Sequence, residues 1–198
     1  MSNRRVVLPG VILGIIVLAL AAVFAVVLPK VNGDTSDIAL PDKLPGGYTA
    51  TDLEAAYKGA QGATDAKVKQ ASTTERSART YGDKALQASG VKSATRSYVS
   101  KDLSTPLIVQ VFRAPGGAFA PFQFSDPKTA QAGQQVESLV RKGDVVCIQT
   151  GQADGQGNVQ ASYVECQKSD GDLTVQVTSP LALTKAVAVV DDVFDEVK

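Results

Sequence analysis

The chain contains no histidine and no tryptophan. It has only two cysteines among 198 residues, and 20 acidic side chains balance 20 basic ones. Each shortage excludes a chemistry. Without imidazole there is no Ser-His-Asp triad, no Cys-His dyad and no His-ligated metal. Two cysteines cannot build a four-cysteine zinc or iron–sulfur site. A balanced charge supplies no field to draw the whole chain onto nucleic acid, so no nucleic-acid partner is expected. The sequence also lacks Gly-x-Gly-x-x-Gly and Gly-Lys-Ser/Thr phosphate loops, and no cofactor is expected.

What is present begins at the front. Residues 6–29 form a run of 24 without a charged side chain, apolar except for Gly10 and Gly14 and with Pro9 and Pro29 near its ends. As a helix this run spans about 36 Å, enough for a hydrocarbon core of about 30 Å. The apolar core of a cleaved signal peptide ends after about 7–15 residues at an Ala-x-Ala-like site. Ala19, Leu20 and Ala21 offer such a triplet, but the apolar run continues to Leu28. Residues 6–29 therefore read as an uncleaved transmembrane helix with the lipid bilayer as its partner. Arg4 and Arg5 cluster ahead of it, and long tails cross membranes with little regard to their own charge. That places residues 1–5 in the cytoplasm and the rest outside, in a single-pass protein of the cell membrane.

Residues 30–47 read as a flexible linker, broken by Pro41, Pro45, Gly46 and Gly47. The extracytoplasmic domain is expected over residues 48–198, with a helical part at 48–90 and a sheet-containing core at 91–198. Thr51 with Glu54, and Ser72 with Glu75, have the spacing of capping boxes that open helices. Residues 94–99 and 107–112 are rich in β-branched and aromatic side chains and predict a hairpin. Asp126-Pro127 predicts a helix start; Ala132, Val136, Leu139 and Val140 form its inner face, and Gly143 stops it. Strands follow at 145–150, 159–167 and 173–178. A final helix carries Leu183, Val187, Val190, Phe194 and Val197, with an acidic last turn expected to fray against the helix dipole. The fold expected is α+β, an antiparallel sheet of about five strands packed with helices, joined to a single N-terminal transmembrane helix by the linker.

Cys147 and Cys166 fall on successive predicted strands. Placed directly opposite each other, they centre the hairpin between Gln156 and Gly157, inside a glycine-rich turn. The spacing fits a cross-strand disulfide, which an oxidising compartment outside the membrane allows. No other constellation carries chemistry. Asp191, Asp192 and Asp195 read as a solvated helix face. Asp154 to Asn158, and Asp170 with Asp172, resemble only fragments of calcium loops, and Asp-Gly is good hairpin chemistry. Ser125 and Lys128 have dyad spacing but sit where a helix cap is expected. No catalytic and no metal-ligating residue is assigned.

One segment remains. Residues 114–124 place Phe119, Phe122 and Phe124, half of the six phenylalanines, in a Pro/Gly-rich stretch. They either cap the sheet edge as core or form a lip for a protein or lipid ligand; exposure of two or more rings separates the readings. The function expected is a membrane-anchored, non-catalytic binding, sensing or envelope-assembly module. The alternatives are a structural subunit of a membrane complex, or a carboxylate- or Ser/Lys-dependent hydrolase.

Overall fold

Strand, not helix, dominates the folded part of this chain. A computed structural model describes residues 38–198, apart from Ser89, Ala118 and residues 122–124. The strands are β1 (Lys43–Leu44), β2 (Tyr48–Ala50), β3 (Ser93–Val99), β4 (Pro106–Phe112), β5 (Gln135–Lys142), β6 (Val145–Ala153), β7 (Val159–Asp170) and β8 (Leu173–Ser179). Two helices accompany them, α1 (Asp65–Ala88) and α2 (Leu183–Val197). All eight strands join one antiparallel sheet in the order β1-β2-β3-β4-β8-β7-β6-β5. The expected α+β domain with about five strands is thus corrected to an eight-stranded sheet with two helices. The transmembrane helix expected over residues 6–29 lies outside the described residues; among the described residues no helix is long and apolar enough to cross a bilayer.

The largest correction concerns β5. Val136 and Val140 are four apart, a spacing that puts residues on one side of a helix but equally on one side of a strand. Gly133 at φ +82° and Gly143 at φ +59° interrupt any helix here. Gly143 is the turn residue between β5 and β6 rather than a helix stop, and Lys142 pairs with Val145 across it. Asp126 does not open a helix: its carboxylate accepts the Lys128 amide at 3.0 Å and closes a turn.

The helical part is also rearranged. Thr51 to Glu54 leads only to a single 3-10 turn, Glu54–Ala56. Ser72 lies inside α1, and its hydroxyl donates to the Lys69 carbonyl instead of opening a helix. Residues 38–47 of the expected linker belong to the domain: β1 lies there, and Leu40 and Leu44 are buried.

The core lies on one face of the sheet. Side chains alternate along each strand, so Leu107, Val109 and Val111 of β4 share a face with Val175 and Val177 of β8 and with Cys166 of β7. The apolar stripe of α2, formed by Ala186, Val189, Val190, Val193, Phe194 and Val197, seals that face. Its acidic last turn is answered by cations. Lys168 reaches Asp191 at 2.6 Å, which holds the ammonium above its ordinary pKa, and Arg113 donates to the Val197 carbonyl at 2.9 Å.

Two other features shape the opposite face. Helix α1 buries little, only Val68 and Ser72, and lies along the part of β3 that β2 leaves unpaired. There Asp83 accepts the Thr95 amide at 2.8 Å, in place of a ladder carbonyl. The connection from β4 to β5 begins on the side away from α2. Thr174 donates to the Ala114 carbonyl at 2.9 Å, and a Cβ on Gly116 would collide with Ser169 Oγ. It reaches the far edge of the sheet where the Ser125 amide meets the Glu137 carbonyl at 3.1 Å.

Candidate functional site

Cys147 and Cys166 face each other across β6 and β7 and form a disulfide, with Cα atoms 4.0 Å apart. The register assumed from the sequence is the one found. It persists from Val146 to Thr150 and then slips by one residue, because the chain bulges at Ser162. Gly151 lies beside that bulge, where a Cβ would strike the Gln160 carbonyl. Of the three phenylalanines singled out, Phe119 is half-buried, and Phe122 and Phe124 lie outside the described residues.

Several carboxylates serve structure. Asp154 accepts the amides of Gln156 and Asn158 and the Asn158 side-chain amide, which closes the β6–β7 turn. Asp170 pairs with Lys198 at 2.9 Å. Among the described residues no three Cys, Asp or Glu side chains gather closely enough to hold a metal. A charged cleft of about 510 Å³ lies near the C-terminal end of α2, where Lys168 and Lys198 sit 4.8 and 5.7 Å from the Phe194 ring centre. Both lysines are already paired, with Asp191 and Asp170. The cleft thus holds two separate ion pairs, with Arg141, Asp144 and Asp195 also on its lining.

A denser polar cluster was invisible in the sequence. Arg96 projects from β3 to the α2 side of the sheet and is only 5% exposed. Its Nε donates to Asp52 Oδ1 at 2.9 Å, its Nη1 to the carbonyls of Leu40 and Pro41 at 2.7 and 2.9 Å, and its Nη2 to Asp42 at 2.8 Å. Arg79 from α1 takes the other Asp52 oxygen at 2.7 Å, and Arg76 takes the Asp52 carbonyl at 2.9 Å. The Tyr98 hydroxyl donates to Pro41 O at 2.8 Å, and burial raises the pKa of its phenol. One guanidinium thus ties residues 40–42 and Asp52 to the sheet, and Arg76 and Arg79 join α1 to the cluster through Asp52. No signal in the sequence joins residues 40–42, 52, 79 and 96, because the pairing is wholly non-local.

The Asp52 carboxyl titrates below its usual value. Burial alone would raise it, but the hydrogen bonds and charges of Arg79 and Arg96 outweigh burial. A depressed carboxylate stabilises the fold fully above its unfolded pKa of about 3.9, and the stabilisation is lost as pH falls through the folded value. Asp102, on the β3–β4 turn, is held at about 2 by the Ser100 and Ser104 hydroxyls. Urea midpoints are therefore expected to hold from pH 7 to about 5 and to fall steeply between about pH 4 and 2. Asp52→Asn is expected to be less stable at pH 6 and to show a shallower acid slope. Parallel slopes for the two proteins would exclude Asp52 as a contributor.

On the face opposite α2, the β4–β5 connection meets β7 and β8 at Ser169 and Thr174, and large apolar side chains toward both ends of the sheet stay exposed while Ile148 is buried. The registers align Ser97, Ile108, Thr178, Glu165, Ile148 and Leu139 in one row across β3, β4, β8, β7, β6 and β5. The next row reads Thr95, Gln110, Gln176, Gln167, Val146 and Arg141, with Gln176 donating to Gln167 at 2.7 Å. Ile108 is 42% exposed, Leu139 44% and Tyr163, on the same side of β7, 36%. A row that is half aliphatic, with Glu165 as its single charge and a border of amides and hydroxyls, has the anatomy of a contact surface rather than of a reaction centre. The alternation that creates it is present in the sequence, but only the strand order shows that Ile108 and Leu139 lie in one row. No family model, curated protein or solved structure matches this chain.

Proposed function

We propose that this protein is a non-catalytic binding and assembly module, held at the outside of a cell membrane through residues 6–29, whose open sheet face docks a protein partner. The observation that carries the reading is the single row from Ile108 to Leu139, which crosses five strands with aliphatic ends and polar neighbours. Protein contacts draw much of their energy from a few apolar anchors beside polar side chains, and Ile108 and Leu139, at the two ends of the row, would be such anchors. Asp52, Asp154, Asp170 and Asp191 support a non-catalytic role, since each serves a turn or an ion pair. The disulfide suits an oxidising compartment.

The test is comparative. The tagged chain is purified from solubilised membranes alongside the double variant Ile108→Asp and Leu139→Asp, and a control, Tyr81→Asp. Tyr81 is 77% exposed on α1, away from the row. A partner recovered with the wild type and the control, and reduced at least about tenfold with the double variant, is the expected result. Thermal melts of the three proteins should agree closely, because exposed positions change stability by only about 0.5 kcal/mol. Undiminished recovery with the double variant would remove this face from the function.

A further inference from the structure

A second surface feature points to a ligand of different chemistry. Between the β1–β2 hairpin, the 3-10 turn and the β3–β4 turn lies a cavity of about 380 Å³. Its floor is apolar and small, from Leu44, Ala56 and neighbouring alanine and glycine positions, and its rim carries Lys43, Lys101, Thr49 and Ser100. No carboxylate lines it. In the cleft near α2, by contrast, Lys168 and Lys198 each hold an aspartate. Among the described residues neither Lys43 nor Lys101 has an ion-pair partner.

The carboxylates adjacent in sequence are engaged elsewhere: Asp42 pairs with Arg96 at 2.8 Å, and Asp102 is held within its own turn. It accepts the Ser100 hydroxyl at 2.5 Å, the Ser104 hydroxyl at 2.8 Å and the Ser104 amide at 3.3 Å. The same turn holds Leu103 at φ +61°, a conformation that non-glycine residues seldom adopt. The turn is therefore fixed before any ligand arrives, with Lys101 on one side of the cavity and Lys43 from β1 on the other. Two ammonium groups, a hydroxyl and a small apolar floor suit an anion carried on a compact neutral body.

We propose that this cavity receives the phosphodiester headgroup of an anionic phospholipid, with Lys43 and Lys101 on the phosphate and Thr49 on its glycerol hydroxyls. The assignment of a lipid rests on the membrane reading above. Lys43 is only 14 residues beyond Pro29, a stretch of chain that reaches at most about 48 Å when fully extended. A site on the first strand after such a tether meets headgroups at far higher concentration than any soluble anion. Juxtamembrane lysines gain from anionic lipid individually, so two acting at one site produce a multiplicative effect.

The full-length chain is reconstituted into bilayer discs of phosphatidylcholine, alone or with one third phosphatidylglycerol, at physiological ionic strength. Acetylation rates of individual lysines are then read by peptide mass spectrometry. The expected result is selective protection of Lys43 and Lys101, at least about fivefold, in the phosphatidylglycerol discs, with the exposed Lys67 and Lys185 unchanged. Lys43→Gln should then strip the protection from Lys101. Equal protection by 10 mM inorganic phosphate over phosphatidylcholine discs would reassign the site to a free phosphate and overturn the lipid. Uniform slowing of all lysines, or no slowing, would overturn the site. Failure of the chain to co-elute with discs has its own readout: it overturns the membrane reading and the lipid assignment with it.

Discussion

Arg96→Met is expected to lower the unfolding free energy by about 3–5 kcal/mol, the range for removing one partner of a buried ion pair. Methionine matches much of the side-chain volume, so the loss is electrostatic rather than a cavity effect. Asp52 keeps Arg79 but loses its second cation, and the carbonyls of Leu40 and Pro41 lose a shared donor in a place that water reaches poorly. Arg96→Lys should recover little. An ammonium carries three donors on a flexible stem, and it cannot reach two carboxylates and two carbonyls that diverge from one plane. Adding Asp52→Asn to Arg96→Met should cost less than the sum of the single changes, since the stranded charge is then gone. Urea unfolding of the wild type, the three single variants and the double variant measures all of this. A loss below about 1 kcal/mol for Arg96→Met would mean that the cluster is a surface network in energetic terms.

Removing the disulfide is the other large change. The cysteines are 19 residues apart, and closing a loop of that size contributes about 3 kcal/mol in the chain-entropy model. Both cysteines are fully buried in the cluster under α2, so Cys147→Ala with Cys166→Ala also leaves unfilled volume beside Val177 and Val193. The double variant should unfold about 3 kcal/mol earlier than the oxidised wild type. Reductant should barely affect the folded protein, because neither sulfur is open to solvent, yet it should prevent full recovery after unfolding. Coincident urea curves for oxidised wild type and double alanine variant would show that the bond only decorates a hairpin already held by β6 and β7.

Much of this fold could be read along the chain wherever local signals agree. The β3–β4 hairpin, strands β6 to β8, helix α2 and the cross-strand cysteines all have periodicity, turn chemistry and spacing that point one way. β5 was lost because four-residue spacing serves both helix and strand, and Pro127 drew attention to a helix start. β1 and β2 are too short to show alternation, and they form because β3 is there to receive them. Arg96 gave no sign at all. A lone arginine between Thr95 and Ser97 reads as a solvated strand residue, and its role arises from residues more than 40 positions away. The open face lies between these cases: Ile108 and Leu139 are plain in sequence, but their alignment follows from crossovers that local reading does not supply.

The Arg96 clamp also sets how the domain would bear tension. A pull on the chain ahead of residue 38 reaches Leu40, Pro41 and Asp42 first, where one guanidinium holds several acceptors that must break together rather than in turn. From there the load passes into β3, in which Arg96 lies directly across from Val109 of β4, the neighbour of Ile108. On the function proposed above, tether and docking row would be one strand apart, and a partner pulling at Ile108 alone would stretch the seven-pair β3–β4 ladder. A partner that also held Leu139 would load β7 and β6 as well, where the disulfide joins the two strands that carry the row to β5.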